Sequence, residues 1–233
     1  MKIKGIQKTT LIDYPNKIAC TLFLFGCNFR CGFCHNPELV LKEEGGDIVK
    51  SEILEFLEKR KEYLDGVCIT GGEPLLTLEK EFLRKIKEKG YLIKIDTNGS
   101  FPEKLKEFIE ENLVDFISMD IKSGKEKYSE VAGIKVDNSK IEESIKLISN
   151  LENYEFRTTI LRDIHDDKEI KKIALWLNEL IGKKPKKYAL QGFKNKGKVL
   201  SKLFENEKDV SEEYLENLKK IIKDDFEEVE VRV

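Results

Sequence analysis

Short runs rich in β-branched and aromatic residues alternate with amphipathic helical stretches along most of this chain. Residues 18–25, 66–70, 91–96, 114–121, 154–161 and 188–191 read as strands. Between them, apolar stripes at helical spacing appear: Ile53, Leu54 and Leu57 behind a Ser51 cap, and Leu78, Phe82, Leu83 and Ile86 behind Thr77. Leu105, Phe108 and Ile109 follow Pro102, a residue suited to a helix's first turn. Ile141, Ile145 and Ile148 form the next stripe, and Ile170, Ile173, Ala174, Leu177 and Ile181 the one after. Such alternation favours a parallel sheet, because each strand must return over a helix before its neighbour begins. Six strand–helix units are countable, fewer than the eight of a closed barrel. The expected class is therefore α/β, an incomplete TIM-like barrel. A doubly wound open sheet shares the alternation, and strand count does not separate the two.

The flanks complete a single domain over 1–233. Residues 1–17 form an N-terminal extension with a strand over 3–9, and 18–193 form the barrel core. In 194–233, a polar irregular stretch (194–210) precedes a helix over 211–222 and an alternating strand with Val229, Val231 and Val233. With 42 basic and 44 acidic residues the net charge is −2, so no basic field gathers nucleic acid or anionic lipid. The longest apolar run, 18–25, is far short of the roughly 20 residues of a membrane helix. The opening MKIKGIQKTT has no apolar export segment, and a cytoplasmic location is expected.

The five cysteines narrow the chemistry. Their odd number argues against a disulfide framework and towards metal or redox work. Cys27, Cys31 and Cys34 lie within eight residues, spaced C-x3-C-x2-C directly after the strand over 18–25. Three thiolates on one tight loop can wrap a 4Fe–4S cube and leave its fourth iron open, whereas ordinary ferredoxin clusters take four cysteines. A Cys3His zinc site with His35 is the alternative, weakened because adjacent residues tend to point apart. Cys20 and Cys68 sit inside strands as small buried hydrophobes.

The C-x3-C-x2-C loop, with Phe33 before its last cysteine, resembles the signature of radical S-adenosylmethionine (SAM) enzymes. His35-Asn36 resembles the glycyl-radical-enzyme activases. Further matching stretches are Gly5-Ile6-Gln7-Lys8-Thr9, Leu11-Ile12-Asp13-Tyr14-Pro15, Thr70-Gly71-Gly72-Glu73-Pro74, Asp96-Thr97-Asn98-Gly99, Met119-Asp120-Ile121-Lys122 and Phe156-Arg157-Thr158-Thr159. Together they are similar to the activating proteins of anaerobic ribonucleoside-triphosphate reductases over nearly the whole chain. The resemblance implies a radical SAM fold, one 4Fe–4S cluster on Cys27, Cys31 and Cys34, and bound SAM. An electron from the reduced cluster would cleave the S–C5′ bond, giving methionine and a 5′-deoxyadenosyl radical. The low potential of such clusters implies a flavodoxin- or ferredoxin-like donor.

The resemblance also assigns residues, and each assignment has a plainer counterpart. Gly71, Gly72 and Glu73 would receive the methionyl amino group, or else merely close the strand before them. Asp96, Thr97, Ser118 and Asp120 would hold a monovalent cation beside the SAM carboxylate. Asn98 belongs to the same motif, whose ordinary reading is an Asx-type turn with Gly99 left-handed. Asp120, Ile121 and Lys122 would contact SAM, although Asp120 and Lys122 could pair with each other. Arg157 would bind SAM or neutralise a carboxylate, with Asp120 an equally available partner. Phe33 is expected near adenine, or else packing the cluster loop against the barrel, and His35 as a hydrogen-bonding neighbour. Gln191 stands where pyruvate formate-lyase activases carry histidine, so its adenosyl contact competes with strand capping. His165, in a loop, is expected to be solvated. The expected activity is hydrogen abstraction from a glycine of a partner enzyme, anaerobic ribonucleotide reductase. The alternative is a radical SAM enzyme acting on a small metabolite or modified-nucleoside precursor, like 7-carboxy-7-deazaguanine synthase. Those synthases place Asp-Thr after the third cysteine, where this chain has His35-Asn36.

Overall fold

A computed structural model describes residues 1–41 and 45–233. Its strands are β1 (Ile3–Thr10), β2 (Ala19–Leu24), β3 (Gly66–Gly71), β4 (Leu92–Thr97), β5 (Phe116–Asp120), β6 (Tyr154–Ile160), β7 (Lys187–Gly192) and β8 (Glu228–Arg232). The helices are α1 (Lys50–Lys59), α2 (Pro74–Thr77), α3 (Lys80–Glu88), α4 (Pro102–Glu110), α5 (Tyr128–Ala132), α6 (Asn138–Ser149), α7 (Asp167–Ile181) and α8 (Glu212–Ile222). The strand order follows the chain from β1 to β8, with those two at the ends, so it does not close on itself. β1 pairs antiparallel with β2, while β2–β3, β3–β4, β6–β7 and β7–β8 are parallel. The α/β class and the unclosed order agree with the alternation of the sequence.

All eight expected strands form, with ends shifted by one or two residues, where hydrogen-bonded pairing is weakest. The expected caps differ. Ser51 lies inside α1, whose cap position is Val49 with no side-chain bond, and Thr77 is the last residue of α2. The capping carboxylate there is Glu73, whose Oε1 accepts from Leu75 N at 3.0 Å, with Pro74 in the first turn. The short helices α2 and α5 carry too few residues to show a period. At α5 the Gly133 cap is left-handed (φ 69°) and stops the helix. No helix among the described residues is long and apolar enough to cross a membrane.

Two compact units are distinguished. The first comprises Met1–Asn28, Asn36–Thr97 and Glu103–Ile117, the second Phe29–His35, Asn98–Pro102 and Ser118–Val233. In the first, Leu22, Leu24, Val67, Ile69, Ile93 and Ile95 of adjacent strands are fully buried with Leu57 of α1 and Leu83 and Ile86 of α3. The mostly apolar runs of β2 and β3 follow from parallel strands covered on both faces. Asp115 ties the start of β5 to β4: it accepts from Ile93 N at 2.7 Å and pairs with Lys87 at 2.7 Å. In the second unit, Phe156, Tyr188 and Leu190 are buried together with Ile170, Ile173 and Leu177 of α7 and with Leu215, Leu218 and Ile222 of α8.

Candidate functional site

In the first unit the turn after β3 is joined to the start of the cysteine loop. Gly72 N donates to Leu24 O at 2.9 Å, and Glu73 N donates to Gly26 O at 2.7 Å, one residue before Cys27. A Cβ on Gly72 would overlap the Gly26 carbonyl, so the close approach of the two backbones requires glycine there. Glu73 is 1% exposed, and its Oε1 also accepts from Thr97 Oγ1 at 2.8 Å. The Gly71–Glu73 turn therefore fixes the base of the cysteine loop and, through Thr97, the end of β4.

Two positions before Asp96 stands Lys94, 2% exposed, which the sequence reading did not single out. Its ammonium forms an ion pair with Asp96, lies 3.9 Å from Cys68 Sγ and stands 6.0 Å from the centre of the Phe116 ring. A charge so deeply placed is tolerated only when paired. The available signal was Leu92-Ile93-Lys94-Ile95-Asp96, two charges on one face of an otherwise apolar strand.

The second unit holds Cys31 and Cys34. Cys34 N donates to Cys31 O at 3.0 Å, closing a turn, and Arg30 N donates to Ala132 O at 2.8 Å. A Cβ on Gly133 would strike Arg30 O, so the glycine that ends α5 also admits the cysteine loop. Burial pushes the Cys31 thiol up in pKa, and the nearby Lys122 charge pulls the other way. Lys122 thus favours the thiolate that a metal requires. Phe33 is buried and meets Phe204, in the segment after the barrel core, edge-on at 6.0 Å. His35 stacks on Phe193 at 4.9 Å, and its Nε2 donates to Lys194 O at 2.7 Å.

Asp120, Lys122 and Arg157 come together. Asp120 pairs with Arg157 at 2.5 Å and with Lys122 at 2.9 Å. Burial works to raise the Asp120 carboxyl, but the Arg157 and Lys122 charges outweigh it and hold it well below the usual range. Ile121 joins through its backbone: its N donates to Arg157 O at 2.8 Å, and its carbonyl accepts from Thr158 Oγ1 at 2.7 Å. His165, expected to be solvated, is instead fully buried. Its Nδ1 accepts from Leu161 N at 3.1 Å, and its Nε2 donates to Lys122 O at 2.8 Å. Burial lowers its pKa to about 4, so the ring is neutral and both nitrogens are used. The polar ring enters the core because the Leu161 amide and the Lys122 carbonyl satisfy both of its nitrogens.

The remaining candidates divide. Asn98 makes the expected Asx turn, accepting from Ser100 N at 3.0 Å, while Gly99 adopts φ 77° against Met119. Gln191 is exposed at the end of β7. Of the four suggested cation ligands, Asp96 pairs with Lys94 and Thr97 bonds to Glu73 in the first unit, and Asp120 pairs with Arg157 and Lys122 and Ser118 donates to Glu155 at 2.7 Å in the second. Three soft thiols on a short loop, with Lys122 beside Cys31, do fit the donor set of an iron–sulfur cluster.

The sequence profile of the Radical SAM superfamily matches residues 21–177. A Methanocaldococcus jannaschii protein named for glycyl-radical enzyme activation is 34% identical over 203 residues, 83% of this chain and 80% of that protein. The pyruvate formate-lyase-activating enzyme of Clostridium pasteurianum is 34% identical over 127 residues, and the match spans about half of each chain, 52% in both. Among solved structures, Streptococcus suis SuiB bound to S-adenosylmethionine superposes with a TM-score of 0.66 at 15% identity, over 91% of this chain and 51% of that one. At that identity the likeness concerns the fold.

Proposed function

The chain belongs to the radical SAM superfamily, and from that membership we propose that it activates a glycyl-radical enzyme, an anaerobic ribonucleotide reductase, by abstracting hydrogen from its glycine. The observation that carries the proposal is the C-x3-C-x2-C loop followed by His35-Asn36, set among motifs similar to those of the reductase-activating proteins. The 34% identity with the M. jannaschii protein supports the activating role. Bound cluster and SAM supply one-electron cleavage of a sulfonium to a 5′-deoxyadenosyl radical, and the protein's task is to hold them and exclude solvent.

Within that task the chain's own residues have separate roles. Cys27, Cys31 and Cys34 would hold the cluster, with the Lys122 charge favouring the thiolate of Cys31. Gly71, Gly72 and Glu73 offer the turn at which the amino group of SAM is received. Asp120, Lys122 and Arg157 form a pre-paired charged group, with the Ile121 backbone beside it, for the polar half of the nucleotide, and Asp96, Asn98, Phe33, His35 and Gln191 are further proposed contacts. His165 acts through Lys122, fixing its backbone by the 2.8 Å bond. A low-potential flavodoxin or ferredoxin supplies the electron.

The test is direct. Reduced, cluster-loaded protein is incubated with SAM and the candidate reductase, and the glycyl doublet is sought by EPR spectroscopy. A doublet dependent on SAM is expected. Its absence alongside turnover of a small deazaguanine precursor would favour the synthase-like alternative.

A further inference from the structure

The segment 194–210 supplies no proposed cofactor contact of its own, yet it lies along the cysteine loop. Leu200 N donates to Cys34 O at 3.1 Å, and Ser201 N donates to Gly32 O at 2.9 Å. Phe204 fills the space beside Gly32, where a Cβ would come within 2.5 Å of its ring, and abuts Phe33. The backbone carbonyl of a cluster-ligating cysteine is thus bonded to an outer segment of chain.

The other side of this strap is basic and partly apolar. Residues 194–204 contain four lysines and no acidic residue, in a protein whose net charge is −2. Lys196, Lys198 and Lys202 are exposed and have no ion pair among the described residues, and Leu203 is 89% exposed beside them. The residues that follow add Glu205, Glu207 and Asp209 against Lys208, so that 194–210 as a whole carries five lysines and three acids. Asp209 accepts from Asn195 N at 2.7 Å and stands 3.9 Å from Lys194. An exposed apolar side chain in a stretch of exposed lysines suits a transient partner of opposite sign, because long-range attraction speeds encounter without holding the complex.

We infer that residues 194–204 are the docking surface of an acidic, low-potential one-electron carrier protein. This rests on the radical SAM reading, in which the cluster must be reduced from outside. The carrier loses one electron, the cluster gains it, and no bond is made and no proton moves. The Leu200 N–Cys34 O bond joins the strap directly to the backbone of a proposed cluster ligand.

The test uses a purified acidic ferredoxin as the probe, with the full chain in cluster-loaded form. Calorimetric affinity for the ferredoxin is measured at low and physiological ionic strength for the wild type and for K196E/K198E/K202E. These lysines are exposed and touch no proposed cofactor contact, so folding is not at issue. The wild-type affinity should fall with salt, and the triple variant should bind about tenfold or more weakly. SAM cleavage to 5′-deoxyadenosine is then driven either by reduced ferredoxin or by dithionite. The variant should be slowed only with ferredoxin. Unchanged affinity, absence of wild-type binding, or an equal loss with dithionite would each overturn the docking surface. Neither readout involves the glycyl-radical enzyme, so failure here is distinct from failure of the activating role.

Discussion

Lys94 and His165 show how single buried polar groups are accommodated. Lys94 is stable at 2% exposure because Asp96 meets its charge. Lys94→Met removes one partner and leaves the other, a change that costs about 3 kcal/mol. The double change K94M/D96N should recover most of that loss. Urea denaturation of the iron-free protein measures both, and an unaltered midpoint in K94M would remove the ion pair from the account. His165 makes a pH prediction. Its folded pKa, about 4, lies below the ordinary value of 6.5, so the unfolded chain binds more protons between those limits. Its contribution to stability is complete above about pH 6.5 and is lost as pH falls towards 4, on the order of 3 kcal/mol in all. His165→Gln should flatten that part of the stability curve. A curve that keeps its slope would place the titration elsewhere.

At the scale of elements, β8 is secured by charge as well as by pairing. Arg232 grips the buried Glu155 with two bonds, 2.6 and 3.1 Å, and Ser118 donates to the same carboxylate. Arg232 also meets Glu230, which Lys187 approaches at 2.7 Å. The Arg232 bond lowers the Glu230 carboxyl to about 2. This stabilisation is present above the ordinary carboxylate range and lost as pH falls through about 2. Arg232→Met strands the Glu155 charge at 1% exposure and should cost about 3 kcal/mol. Lys187→Met, whose partners are solvated, should cost well under about 1 kcal/mol. Comparable losses in the two variants, read from thermal melts, would mean that Glu155 is not buried as described. The strand itself was visible from Val229, Val231 and Val233. Its partner in charge was not, because Glu155 lies 77 positions away.

At the scale of the whole molecule, stability should be linked to cofactor binding. A ligand that binds only the folded chain adds about 2.7 kcal/mol when present at 100 times its Kd. SAM should therefore raise the melting temperature of cluster-loaded protein. Cys31→Ser should abolish SAM cleavage, leave the iron-free melt close to wild type and remove most of the SAM-induced rise. A full rise and full cleavage in that variant would exclude the three-cysteine cluster. By itself the sequence determined the α/β alternation, the eight strands, the cysteine loop and the Asx turn at Asn98, because periodicity, glycine placement and short spacings are local. Only the tertiary structure decided that His165 is buried, that Glu73 caps α2 and braces Thr97, and that 194–210 lies on the cysteine loop. The physical reason is that a polar group's burial depends on partners that satisfy it. Leu200 for Cys34, Lys122 for His165 and Arg232 for Glu155 come from distant parts of the chain.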